Sequence, residues 1–173
     1  NGEVSITPQD IDAGSTDNCG IVSYSIDTTS FDCSNTGPNQ VTLTLIDASA
    51  NTSASTAIVT VVDATAPTAV CQNITLELDA SGNASISAQD IDAGSYDNCA
   101  VSQIAINQTN FDCSTIGENQ VVFTITDASG NSSSCTAMVT VVNNNVPIAA
   151  CQDITLQLDS NGVATITAAD LDG

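Results

Sequence analysis

Two acidic clusters recur along the chain, and their residue types suit one kind of chemistry. Asp10, Asp12, Asp17 and Asn18 lie close together, with Asp90, Asp92, Asp97 and Asn98 as counterparts. Asp47 with Asn51, and Asp127 with Asn131, form a second pair of loops. Alternate carboxylates in a loop turn oxygens toward one point, and calcium takes roughly 6–8 such oxygens. Asp63, near a Pro-containing break in the pattern, is a further candidate for a site shared between two domains. A second expectation stands beside the first. Asp-Asn and Asp-Ala-Ser-Gly-Asn also build turns whose side chains bond their own backbone, and no EF-hand spacing is present.

Charge balance favours an ion. The 173 residues include 20 acidic side chains and no Lys, Arg or His, for a net charge of −20. Crowded carboxylates must therefore be diluted in water, protonated or neutralised by bound cations. The same inventory excludes whole classes of function. Nucleic acid phosphates and anionic lipids would find no side-chain cation to meet. Catalysis lacks a His or Lys base and an Arg clamp. A carboxylate pair acting on glycosides is usually set in an aromatic-lined cleft, and this chain has no Trp, two Tyr and three Phe.

These clusters must be positioned by some scaffold, and self-comparison exposes it. Gln9-Asp10-Ile11-Asp12-Ala13-Gly14-Ser15 recurs as Gln89-Asp90-Ile91-Asp92-Ala93-Gly94-Ser95. Asp17-Asn18-Cys19 recurs as Asp97-Asn98-Cys99, and Phe31-Asp32-Cys33-Ser34 as Phe111-Asp112-Cys113-Ser114. Cys71-Gln72-Asn73-Ile74 recurs as Cys151-Gln152-Asp153-Ile154, always at an offset of 80 residues. The boundaries fall at Asp63-Ala64-Thr65-Ala66-Pro67 and Asn143-Asn144-Asn145-Val146-Pro147. Residues 64–143 then form one complete repeat, 1–63 a repeat without its first strand, and 144–173 the start of a third. Either the chain is a window on a longer array, or its terminal strands complete neighbouring copies in a fibre.

Short segments alternate between apolar and polar: Ile74, Leu76 and Leu78; Val41, Leu43 and Leu45; Val121, Phe123 and Ile125. This is the period of half-buried strands. Thr136 to Val142 is more continuously apolar and is expected nearer the middle of a sheet. Asp79-Ala80-Ser81-Gly82-Asn83 is expected to close a hairpin. No sustained helical period is present. The fold class expected is all-β, tandem immunoglobulin-like β-sandwich repeats with an 80-residue period, joined by short Pro-containing linkers that leave little slack.

The ordered motifs Pro67 then Cys71, Asp97-Asn98-Cys99, Asp127-Ala128-Ser129-Gly130-Asn131 and Cys135 resemble the hyalin repeat (HYR) domain. That resemblance implies an immunoglobulin-like module of extracellular adhesive proteins, of the kind found in large secreted bacterial multi-repeat surface proteins. The first repeat departs from it, with Ser55 in the place of Cys135 and Ala50 in that of Gly130.

Seven cysteines without a His argue for disulfides and an oxidising compartment. Cys19 with Cys33, and Cys99 with Cys113, are each 14 residues apart and are expected to pair within a repeat. Cys71 and Cys135 are expected to pair across the sandwich, because Ser55 replaces the cysteine where the first strand is missing. Cys151 then needs a partner beyond Gly173. Thiolate metal binding lacks the close spacing it requires.

The function expected is a rigid, disulfide-stapled, calcium-stabilised segment of an extracellular adhesin or filament, secreted or at the cell surface. Its partners would be neighbouring repeats or copies of itself, and a cell or polysaccharide surface, with no nucleic acid and no membrane insertion. The alternative is a calcium-dependent carbohydrate-binding module, which has few aromatic platforms to work with. Sequons at Asn51, Asn73, Asn83, Asn107 and Asn131 are expected by chance in so Asn- and Thr-rich a chain.

Overall fold

The computed structural model describes residues 2–172. Strands dominate, and the helices among the described residues are single turns. In the first repeat the elements are β1 (Glu3–Ser5), α1 (Pro8–Ile11), β2 (Ile21–Ile26), β3 (Ser30–Asp32), β4 (Gly37–Asp47) and β5 (Thr52–Val61). The second contains β6 (Ile74–Glu77), β7 (Asn83–Ser85), α2 (Ala88–Ile91), β8 (Val101–Ile106), β9 (Asn110–Asp112), β10 (Gly117–Asp127) and β11 (Ser132–Val142). In the third, α3 spans Ala168–Leu171. None of these helices is long and apolar enough to cross a membrane.

The second repeat is a two-layer sandwich. One layer is a four-stranded sheet in the order β6-β11-β10-β8, with β6 parallel to β11 and the other pairs antiparallel. The other is β7 paired with β9, extended by bridges from Thr68 to Tyr96 and from Cys71 to Asp92. Val121, Phe123 and Ile125 of β10 and Val139 and Val141 of β11 point inward and are buried with Leu78, Ile91 and Phe111. Each such side chain contributes about 1.5–3 kcal/mol by leaving water. The apolar run of β11 lies inside its sheet, between β6 and β10.

The first repeat has the sheet β2-β4-β5 and the pair β1-β3, and among the described residues no strand lies beside β5 in the place of β6. Its core is correspondingly thinner. Phe31, Val41 and Leu43 are buried, but Val59 and Val61 remain half-exposed where Val139 and Val141 are closed off.

Two expectations are corrected. The turn at Asp79–Asn83 forms, with the Asp79 amide donating to the Asn83 carbonyl at 2.9 Å. The strands it joins, however, enter different sheets: β6 pairs with β11 and β7 with β9. The turn is a crossover between layers, because the two segments bury their apolar residues on opposite walls of one core. The cysteine pairing also differs. Cys71 is joined to Cys135 within the second repeat, but Cys33 is joined to Cys99, across two repeats, with Cα atoms 5.2 Å apart. Cys19–Cys33 and Cys99–Cys113 do not form, and Cys19, Cys113 and Cys151 are exposed thiols. The reason is placement: Cys33 Sγ lies 3.6 Å from the Gly2 carbonyl oxygen and 3.6 Å from that of Asn98 in the next repeat, so it sits at the junction, where Cys99 is the neighbouring sulfur.

Candidate functional site

The site lies where the first repeat meets the second. After β5 the chain passes through Asp63 and is pinned at once to the second repeat. Pro67 is buried, its carbonyl accepts from Ser133 Oγ at 2.6 Å, and Val70 N donates to Ser95 Oγ at 2.9 Å. This docking carries the Asp63 carboxylate against two loops of its neighbour, Asp97–Asn98 ahead of β8 and Asp127–Asn131 between β10 and β11.

One carboxylate oxygen each from Asp63, Asp97 and Asp127 lie within 4.8 Å of one another. Asp127 is held most firmly: its Oδ1 accepts from the backbone of Ser129 at 2.9 Å and Asn131 at 2.8 Å, and its Oδ2 from Asn131 Nδ2 at 2.8 Å. Burial pushes the Asp127 carboxyl up, but the Asn131, Ser129 and Gly130 donors outweigh it and hold the group below the usual carboxylate range. It is therefore ionised at neutral pH though only 2% exposed. Asn131 Nδ2 also donates to the Asp63 carbonyl at 3.1 Å, tying the linker to this loop. Asp97 Oδ2 accepts from Cys99 N at 2.8 Å, and Asn98 Nδ2 donates to Asp63 Oδ1 at 3.4 Å.

Three atoms in this arrangement are orphaned. Asp63 Oδ2, Asp97 Oδ1 and Asn98 Oδ1 are buried and accept no hydrogen bond. Buried acceptors without partners are costly, and carboxylates gathered together without a cation are costlier. No side-chain cation exists in the sequence to pair with them. A calcium ion fits: ligands on opposite sides of an ion with bonds of 2.3–2.6 Å are separated by about 4.6–5.2 Å. The donor set, carboxylate and amide oxygen without sulfur or imidazole, also suits a hard ion.

The remaining sequence candidates are elsewhere. Asp10 and Asp90 close one-turn helices, accepting from the backbone and hydroxyl of Thr7 and Ser87 at 2.7 Å, and those bonds hold both carboxyls low. Asp12 and Asp92 accept from Ser15 and Ser95, with the same effect. Each of these four has one carboxylate oxygen engaged in a turn, and none belongs to the Asp63, Asp97 and Asp127 group. Asp17 and Asn18 are exposed, and Asp47 bonds Asn51 and Ser49 without a linker carboxylate beside it among the described residues. At the second linker Asn143 stands where Asp63 does, an amide in place of a carboxylate.

The junction has two further features. Cys99, next to Asn98, is bonded to Cys33, so the disulfide and the orphaned oxygens share one loop. Beside them is a cleft of about 410 Å³ lined from both repeats, by Val4, Phe31 and Val61 on one side and Asn98 on the other. The pairing of Cys33 with Cys99 was not anticipated, although the match between Asp17-Asn18-Cys19 and Asp97-Asn98-Cys99 marks the loop that carries it.

Comparison with known proteins places residues 62–141 as a match to the HYR domain. No curated protein sequence matches the chain. Among solved structures, similarity is found to the protocadherin gamma B7 extracellular cadherin domains 1–4, with a TM-score of 0.37 and 12% identity over 72% of this chain and 42% of that one. Mouse clustered PcdhgC3 EC1–3 gives 0.35 and 14%, over 66% and 48%. The chain thus spans less than half the length of either.

Proposed function

We propose that this chain is a segment of an extracellular structural array, an adhesin or filament. In it calcium and a disulfide lock successive repeats, 1–63, 64–143 and the one begun at 144, into a stiff rod. The observation that carries the reading is the trio of orphaned buried oxygens at the junction, contributed by the linker and by the next repeat together. An ion held there joins two bodies, so binding energy is spent on restricting their relative motion. The HYR match over 62–141 supports an adhesive, non-enzymatic role in an oxidising, extracellular setting.

In this reading Asp63, Asp97, Asn98 and Asp127 hold the ion. Asn131 positions two of them, through Asp127 Oδ2 and the Asp63 carbonyl. Calcium supplies positive charge and coordination, and no bond is made or broken. The orphaned oxygens face the buried junction, which favours an ion that bridges repeats over one that presents coordination sites to a sugar. Asn143 makes the second junction one charge poorer, so its ion would be held more weakly.

The test is calorimetric titration of calcium into the oxidised chain, with thermal unfolding in calcium, magnesium and chelator. Calcium is expected to bind and raise the melting temperature, chelator to reverse it, and magnesium to substitute poorly because it demands a tighter octahedron. Asp97→Asn keeps the acceptor for Cys99 N and removes one charge; affinity is expected to fall on the order of tenfold or more, in line with the dependence on ligand charge. Absence of binding heat together with an unchanged melting curve would sink the proposal.

A further inference from the structure

The Cys33–Cys99 bond divides the roles of two cysteine positions. The one in Asp-Asn-Cys reaches back to the preceding repeat, and the one in Phe-Asp-Cys reaches forward. Cys19 and Cys113 occupy these same two positions, and both are exposed thiols.

The surroundings of Cys113 match those of a bonded cysteine. Cys33 Sγ lies 3.6 Å from the Gly2 carbonyl oxygen, and Cys113 Sγ lies 3.8 Å from that of Gly82. Both glycines have left-handed backbones, φ 60° and 77°. A Cβ on Gly2 would collide with Cys33 Sγ and stand 3.0 Å from the Asn98 carbonyl of the next repeat, so the absence of a side chain there admits the disulfide. A Cβ on Gly82 would stand 2.8 Å from Cys113 Sγ, so the same cradle is built around a sulfur that has no partner here. At the other end, Cys19 N donates to Asp17 Oδ2 at 2.7 Å, as Cys99 N donates to Asp97 Oδ2 at 2.8 Å. The loop that presents Cys99 to its partner is thus also formed around Cys19.

We infer that Cys113 and Cys19 are half-sites of further junction disulfides of the Cys33–Cys99 type. Cys113 pairs with the Asp-Asn-Cys cysteine of a repeat that follows, and Cys19 with the Phe-Asp-Cys cysteine of one that precedes. Each bond forms by exchange with a disulfide-bearing oxidant: two protein thiols become one protein disulfide, and the oxidant's disulfide is reduced to two thiols. The inference rests on the serial-repeat reading and is independent of calcium.

The experiment extends the full chain at Gly173 with a copy of residues 94–143, which completes the third repeat in register. The copy carries Ile in the place of Val101 and Thr in the place of Ile116, as the first repeat does at Ile21 and Thr36, so its Asp-Asn-Cys peptide is heavier by one methylene and its Phe-Asp-Cys peptide is lighter than that of Cys113. The chain is oxidised with glutathione disulfide in the presence of chelator, digested without reduction at Asp residues, and mapped by mass spectrometry. The expected product is the Cys113 peptide joined to the heavier Asp-Asn-Cys peptide. Cys113 joined to the lighter peptide of Cys99, or left as a thiol while Cys33–Cys99 has formed, overturns the inference. Should the extended chain not fold, a copy of residues 1–80 placed ahead of Asn1 tests the same bond from the other side. Cys19 is then expected to lose its reactivity toward maleimide, and an unchanged reactivity overturns the inference. Because chelator is present throughout, failure here is separable from failure of the calcium proposal.

Discussion

Ala50 adopts φ 65° in the turn between β4 and β5, where its counterpart Gly130 has φ 89°. A Cβ in the left-handed region costs roughly 1–2 kcal/mol, so the two turns are unequally strained though their hydrogen bonds match. Ala50→Gly is expected to stabilise the chain by about 1 kcal/mol and Gly130→Ala to destabilise it by a similar amount, less the unfolded-state entropy of glycine. Urea denaturation of both variants checks the pair, and equal effects of the same sign would refute it. Sequence reasoning marked Ala50 as a departure, and Asp63, Asp97 and Asp127 were among its candidates. It could not separate those from Asp90 and Asp92, since turns and ion sites use the same residues at the same short spacing. What divides them is distant: Asp97 and Asp127 face Asp63, which reaches them only through the docking of the linker.

At the scale of elements, periodicity placed the strands well because each has one face on the core, as in β10 with Val121, Phe123 and Ile125 inward. Partners were less legible. Alternation reports which face is buried but not which sheet a strand enters, and β6 and β7 therefore passed for a hairpin. The Cys71–Cys135 bond fastens the entrance of the second repeat to β11, where the sheet has parallel pairing with only the short β6. It closes a loop of 64 residues, for which the chain-entropy relation gives about 4 kcal/mol. Replacing both cysteines by serine is expected to lower the stability of this repeat by about that amount, read from its urea transition. A loss below about 1 kcal/mol would show that the core and β6 suffice.

For the whole molecule, the proposed rod would owe its stiffness to three attachments at one junction: the peptide linker, the Cys33–Cys99 bond and an ion held by the oxygens of Asp63, Asp97 and Asp127. On that proposal chelation alone would leave the covalent pair, and replacing Cys33 and Cys99 by serine, which spares Cys71–Cys135, would leave the ion. Small-angle scattering is therefore expected to show a modest broadening of the length distribution after either change and a large one after both. A large change on chelation alone would mean that the disulfide does not restrain bending. This coupling was not legible in the sequence, because spacing within a repeat cannot reveal that a cysteine's partner belongs to the next one.

The two disulfides also overlap. One closes the chain from Cys33 to Cys99 and the other from Cys71 to Cys135, so the rings share the stretch from Cys71 to Cys99. A single broken peptide bond anywhere from Cys33 to Cys135 therefore severs nothing, since one ring or the other still connects the pieces. Tension entering at one repeat would leave at the next with the backbone nicked between them. The span is covalently redundant: no one peptide bond along it is the sole connection between the two repeats.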